Sequence, residues 1–233
     1  MTQKRDETRN QVLDTALRLF RRKGFDRTTM RDVAEAAGMS VGAAYYHFRS
    51  KEELVLAFYR WTQDEHERLL QERLAGVAEP VERVRIAFRT KLELIEKSRP
   101  FLGALFRFTG DPKHPLSVFG PKTRDLRERS IATFAFALEG AGMKGDATRL
   151  ANTGVWAMHL ALILHAVHDE SPGMKKTYAL ADAAATIVSR LALLAESPAA
   201  EPVVAWLVEA LAVVGQPDEA TDEPKTRKRR REP

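Results

Sequence analysis

The apolar positions of this sequence fall into helical register almost from the start. Between Thr8 and Lys23, residues Val12, Leu13, Ala16, Leu17 and Phe20 follow the i, i+4 spacing of one helix face. Arg21, Arg22 and Lys23 occupy the last turn, where positive charge suits the helix dipole, and Gly24 is a natural exit. Phe25 is expected to plug a small core between this helix and the next two. The stretch Thr29–Phe48, TMRDVAEAAGMSVGAAYYHF, reads as two short helices with a sharp turn between them. Thr29 with Asp32 makes a capping-box-like start, Val33, Ala34 and Ala37 give an apolar face, and Gly38 permits a tight exit. Ser40 can cap the second helix, from Val41 to about His47. This is the helix-turn-helix arrangement that places a recognition helix in a DNA groove.

The remainder continues in the same period. Ser50 with Glu53 forms an S-x-x-E capping box opening a long helix to about Leu74, with Leu54, Phe58, Trp61, Leu69 and Leu70 on its apolar side. After a break at 75–79, Pro80 suits a first turn, and Val84, Ala87, Phe88, Leu92 and Ile95 form a stripe to about Lys97. Phe101–Phe108 is a short helix, apolar around most of its circumference, and 110–115 is a loop. A helix of roughly 122–140 turns Leu126, Ile131, Phe134 and Leu138 inward and leaves the Arg124–Arg129 charges to solvent. Two long apolar helices follow, Asp146–His168 and Pro172–Glu196, with Trp156 and Ile163 on the first and Ala183 on the second. Their apolar surface exceeds one packing stripe, so Leu160, Leu164, Ile187, Leu191 and Leu194 are expected to meet a second copy in a four-helix interface. Pro198 interrupts, 202–214 reads as a further apolar helix (Val203, Trp206, Leu207, Leu211), and from Gly215 the tail has too little apolar surface to fold.

The fold class is therefore all-α: an N-terminal DNA-binding domain over 6–66, a helical bundle over 67–214 and a disordered basic tail over 215–233. With 44% hydrophobic residues in 233, the chain can bury a sizeable core. The absence of cysteine excludes disulfides, thiolate metal sites and cysteine nucleophiles, and fits a reducing, cytoplasmic setting. No secretory signal core and no membrane span are expected. Charge is uneven: residues 1–60 carry 12 Lys/Arg against 8 Asp/Glu, whereas 61–215 carry 19 of each, so contact with a polyanion is expected at the N-terminal end. The tail run KTRKRRR, 225–231, is read as a solvated segment, with nonspecific phosphate contact as the alternative.

The run from about Asp6 to Glu65, F-x-x-x-G-F-x-x-T-T-x-x-D-V-A-x-x-A-G-M-S-x-G-x-x-Y-Y-H-F-x-S-K-E-E-L, resembles the DNA-binding domain of the tetracycline-repressor (TetR) family. The resemblance covers about a quarter of the chain and implies an all-helical homodimer whose divergent C-terminal domain binds a small effector. It matches Tyr45 and His47 to phosphate contacts, and Thr29 and Lys51 to positions that fix register on the DNA backbone. Ser40 belongs to the same DNA-facing set. Base reading falls to Arg31, which can fork onto a guanine edge, and to Val41, Gly42, Ala43 and Tyr46, which face the groove. Small residues at 41–43, in place of the polar ones found in some members, leave much of the specificity to Arg31, Tyr46 and DNA shape. Ala44 is smaller than the Leu or Ile usual at its position.

The partners implied are an operator in double-stranded DNA, a second copy of the chain and a small molecule, with no cofactor, no metal and no membrane. An apolar or aromatic effector is expected in a cavity lined by Trp61, Phe88, Phe101, Leu105, Phe108, Phe134, Asn152, Trp156 and His159, with Phe58, Phe119 and Arg107 as further candidates. Two other readings stand beside the ligand-responsive regulator. A nonspecific architectural DNA protein would show a steep salt slope without sequence preference. A helical-bundle enzyme would need chemistry that the sequence does not display: no Ser-His-Asp signature, Glu-x-x-His pair or Gly-rich phosphate loop is visible, and His165 and His168 lack a carboxylate pattern beyond Asp169.

Overall fold

The computed structural model describes residues 2–140 and 145–195, and beyond them 197, 200–203, 205–207 and 209. The basic tail and most of the helix expected over 202–214 lie outside the described residues. Nine α-helices are described: α1 (Thr2–Lys23), α2 (Met30–Ala36), α3 (Val41–His47), α4 (Lys51–Arg73), α5 (Pro80–Ile95), α6 (Arg99–Leu105), α7 (Arg124–Ala137), α8 (Gly145–His168) and α9 (Lys175–Ala195). The described residues contain no strand, so the all-α expectation holds.

The helix boundaries follow the capping chemistry. Thr29 accepts from the Asp32 amide at 3.1 Å while the Asp32 carboxylate accepts from the Thr29 amide at 2.7 Å, closing a reciprocal capping box. At Ser50 only half of that device forms. Its hydroxyl accepts from the Glu53 amide at 3.2 Å, but the Glu53 carboxylate reaches past it to the amide of Arg49 at 2.7 Å. α1 starts at Thr2, before the first apolar residue of its stripe. Its opening turns lie against the aromatic end of α3, with Arg5 over the Tyr46 ring at 5.6 Å and Arg9 over Phe48 at 4.5 Å.

α1, α2 and α3 close a small bundle around Val12, Ala16, Phe20, Val33, Ala34, Ala44 and Phe48. α4, α5, α7, α8 and α9 form the larger bundle, with Phe88, Leu92 and Phe134 wholly buried inside it. Two elements join these bundles. α4 runs through both, and α6 presses Phe101 against Phe20 (ring centroids 5.1 Å apart, stacked) and Phe58 (5.6 Å, edge-on). Arg21 adds hydrogen bonds to the Ser98 hydroxyl at 3.1 and 3.3 Å, and Arg107 pairs with Asp26.

Two buried charged side chains tie the backbone of the larger bundle together. Arg83 donates to the carbonyls of Val77, Phe136 and Ala137 at 3.0, 2.6 and 3.2 Å, satisfying the open C-terminal end of α7. Asp169, read from the sequence as part of a plain turn, accepts from the amides and hydroxyls of Ser171 and Thr177 at 2.6–2.8 Å and so anchors the α8–α9 connection. α8 corrects the expectation about membrane spans: residues 147–168 are long and apolar enough to cross a membrane by length and mean hydropathy. In the fold this helix packs against α6, α7 and α9, burying Trp156, His159, Leu162 and Ala166.

Burial holds His66 well below the usual imidazole range and His159 down at about 3, the nearby Lys91 ammonium pushing each the same way. The unfolded chain therefore binds protons below pH 6.5 that the native state refuses, and stability falls as pH drops from 6.5 toward about 3. Thermal scans across that range are expected to show a falling midpoint, with a shallower fall in His159→Phe.

Candidate nucleic-acid interface and effector cavity

The turn between α2 and α3 is built by the backbone of Gly38, whose φ of +68° lies in the left-handed region. The Ala37, Gly38 and Met39 amides donate back to carbonyls of α2 at 2.9–3.1 Å, and Gln11 of α1 reaches the Ala37 carbonyl at 3.2 Å. Ser40 then caps α3 by accepting from the Ala43 amide at 3.1 Å. Along α3 the four-residue spacing separates two faces. Ala44 and Phe48 are buried against α1 and α2, while Val41, Gly42, Tyr45 and Tyr46 point outward, Tyr46 being 69% exposed. Ala44, small as it is, is completely buried. Ala43 and His47 flank the outward face at intermediate exposure.

Arg31 projects from α2 into solvent, and among the described residues no hydrogen bond or ion pair holds its guanidinium. Thr29 and Lys51 are less available than the sequence suggests. The Thr29 hydroxyl both accepts from the Asp32 amide and donates to the Asp32 carboxylate at 2.8 Å. That carboxylate is held at about 2, chiefly by its bonds to Thr29 and to Lys23. Lys51 turns back to donate to the Phe25 carbonyl at 2.9 Å, its ammonium 4.4 Å from the Phe25 ring centre. Gly42 has no such structural duty. A Cβ there would approach only the Ser40 Oγ, at 4.0 Å. Gly42→Ala is expected to stabilise the free protein by about 0.5–1 kcal/mol, since the helix loses a flexible residue without a clash. Chemical denaturation of the free protein checks it.

A second feature opens between α4, α5, α6, α7 and α8: a cavity of about 140 Å³ walled by Phe58, Leu102, Leu105, Leu126, Trp156 and Ile163, with polar groups from Gln63, Lys91, Ser130 and His159 and from Arg127, which donates to the Val118 carbonyl at 2.8 Å. Of the residues that the sequence nominated, Leu105, Trp156 and His159 line it, as does Phe58. Phe88, Phe101 and Phe134 are packed solid in the core behind, and Trp61 is exposed on α4. Phe108 stacks on His114 at 4.0 Å, Arg107 is paired with Asp26, and Asn152 lies elsewhere on α8. Leu160, expected at the dimer interface, turns inward to the cavity instead. Leu164, Ile187 and Leu191 face solvent in the single chain, at 43%, 53% and 58% exposure; nothing is described of the Leu194 side chain.

The polar side is ordered by one chain of bonds. Gln63 donates to the Thr133 hydroxyl at 2.7 Å and to the Glu67 carboxylate at 3.0 Å, which fixes its amide and aims Oε1 at Lys91 Nζ, 3.4 Å away. Burial pushes the Lys91 ammonium down to about 7, opposed only in part by Glu67. His159 donates from Nδ1 to the Trp156 carbonyl, leaving Nε2 as a bare acceptor.

The family model "Bacterial regulatory proteins, tetR family" matches residues 12–58, the whole of α2 and α3 with most of α1 and the start of α4. The chain is 44% identical over 63 residues to the HTH-type transcriptional regulator TtgR of Pseudomonas putida, a match spanning 27% of this chain and 30% of that protein. The chain thus aligns with about a third of the length of that relative. Among solved structures, a tetR-family transcriptional regulator from Streptomyces coelicolor superposes with a TM-score of 0.62 at 16% identity, covering 92% of this chain and 91% of the other. FadR of Thermus thermophilus, solved in complex with lauroyl-CoA, gives a TM-score of 0.56 at 22% identity over 81% of this chain and 95% of its own. At these identities the structures speak to the fold alone, and they extend its likeness beyond the N-terminal domain.

Proposed function

We propose that the chain, whose residues 12–58 match the tetR-family model and whose helical architecture is like that of a tetR-family regulator, is a ligand-responsive transcriptional regulator. It binds a near-palindromic operator as a homodimer in the cytoplasm and is released when a small apolar molecule enters the cavity. The observation that carries this is the outward face of α3, where Val41, Gly42, Tyr45 and Tyr46 stand clear of the core beside an uncommitted Arg31. A helix presented in this way fits the major groove, and two copies would read half-sites about 34 Å apart.

Tyr45, His47 and the Ser40 end of α3 would touch phosphates and set register, Arg31 and Tyr46 would carry direct reading, and Val41, Gly42 and Ala43 would allow close approach. With Thr29 and Lys51 engaged inside the protein, their part is to hold α2 and α4 in place for those contacts.

The cavity and the DNA-binding domain share α6. Leu102 and Leu105 line the cavity, and Phe101, just before them on the same helix, stacks on Phe20 of α1. A ligand that displaces α6 therefore shifts the seat of α1 and changes the separation of the two recognition helices. Release requires that the ligand bind that shifted arrangement better than the DNA-bound one. T. thermophilus FadR, similar in fold, has been captured with lauroyl-CoA, which supports an effector role for the C-terminal bundle.

Fluorescence anisotropy on the DNA upstream of the coding sequence and on random DNA, at physiological salt, tests the reading. Arg31→Ala is expected to cost about 1–3 kcal/mol on the specific fragment and much less on random DNA. Equal losses on both would mean that Arg31 reads phosphate rather than sequence.

A further inference from the structure

The cavity contains an amine whose hydrogen-bonding capacity the protein leaves almost unused. Lys91 is 6% exposed, and among the described residues no carboxylate comes within 4 Å of its Nζ. Lysine is almost never this buried without a partner, because stripping water from an ammonium is costly. The nearest acids are already committed. Glu67 accepts two bonds from Arg129, at 2.6 and 3.1 Å, and one from Gln63, and Asp64 pairs with the same Arg129 at 2.7 Å. One bond of 3.4 Å, to Gln63 Oε1, is all that three ammonium hydrogens receive. The Gln63 amide cannot turn to improve it, since Glu67 only accepts and must meet the Nε2 side.

Ser130 strengthens the case. It is also buried on the cavity wall, and no group among the described residues bonds its hydroxyl. It stands one turn before Thr133 on α7, and Thr133 bonds the Gln63 that faces Lys91. Two donors with little or no bonding of their own thus line the same cavity. The neighbouring His159 presents an acceptor, having spent Nδ1–H on Trp156. An anion with two oxygens can take one bond from each donor. A neutral alcohol oxygen can also accept from both donors, but it lacks the negative charge that strengthens a bond to an ammonium.

Resting on the effector reading given above, we propose that the cavity takes a small apolar monocarboxylate, its carboxylate held by Lys91 and Ser130 and its body lying among Phe58, Leu105 and Trp156. A volume of about 140 Å³ suits one aromatic ring or a short chain, since cavities of about 150 Å³ accept benzene. Charge-assisted bonds in so dry a site are stronger than neutral ones.

Calorimetric titration of the full chain with benzoate and hexanoate, set against benzyl alcohol and hexanol, tests this directly. The acids are expected to bind about tenfold or more tighter than the alcohols of the same skeleton. Lys91→Met is expected to abolish that preference, and Ser130→Ala to reduce acid binding by a smaller factor. The inference is overturned if acids and alcohols bind alike, if neither binds, or if Lys91→Met keeps the preference. Should Lys91→Met fail to fold, the comparison of acids with alcohols on the unmodified protein decides alone. Operator binding measured without ligand on the same preparations separates the two claims. Sequence-preferring DNA binding with no acid preference removes only the role of Lys91, whereas loss of DNA preference removes the regulator reading itself.

Discussion

Phe101→Ala is expected to lower stability by about 3–5 kcal/mol, the usual cost of emptying a buried aromatic site. Phe101 is effectively unexposed and touches rings from both bundles: Phe20 at 5.1 Å, Phe58 at 5.6 Å and Phe25 at 6.5 Å. Phe20 and Phe25 belong to the N-terminal bundle and Phe58 to α4, which runs through both, so the deletion loosens the seam between the bundles as well as a core. A double-mutant cycle with Phe20→Ala should then be non-additive, with a coupling of about 0.5–1.5 kcal/mol for the ring pair beyond area burial. Denaturant midpoints of the four proteins give the answer. Strict additivity would mean that the stacked pair does not join the domains energetically.

The second large effect is expected at the exposed face of α9. Ile187 and Leu191 lie one turn apart and are more than half exposed in the single chain, and Leu180 of α9 and Leu164 of α8 are exposed as well. Replacing both with Glu should leave the folded protomer intact, because neither belongs to its buried core. It should convert a dimer to monomers in light scattering or sedimentation. Operator affinity should then fall by about 10²–10⁴-fold, since two linked recognition helices bind with high effective concentration and one alone does not. Dimeric behaviour in the doubly substituted protein would place the interface elsewhere.

The helices were legible because their causes are local. Apolar spacing, the Thr29–Asp32 and Ser50 caps and the Gly38 turn act within a few residues, and α3 begins and ends where its sequence indicates. α1 was read too short because residues 2–7 have no apolar stripe; cation–π contacts to Tyr46 and Phe48 come from the α3 end of the domain, and sequence spacing does not reveal them. The outward residues of α3 were also legible, being the complement of Ala44 and Phe48 on a helix of known pitch.

The cavity was not, for a physical reason. Large aromatics attract attention in a sequence, but Phe88, Phe101 and Phe134 are the side chains that fill space, whereas a cavity exists where filling fails. Its polar residues did leave a trace. Lys91 sits on the stripe of Val84, Ala87, Phe88, Leu92 and Ile95, three and four positions from its apolar neighbours, so helical pitch alone puts its stem inside. His66 and Gln63 interrupt the α4 stripe in the same way. A charged residue in register with a buried face was the available signal. Whether it had a partner could be seen only once α4, α5 and α7 were brought together.

Selection of the full-length protein against a random-sequence DNA library tests the central claim most directly. A dimer reading with two α3 helices predicts enrichment of a near-palindrome, its half-sites centred about one helical turn apart or a multiple of that. Enrichment of no motif, with affinity set by salt alone, would contradict the account and leave a protein that grips DNA without reading it.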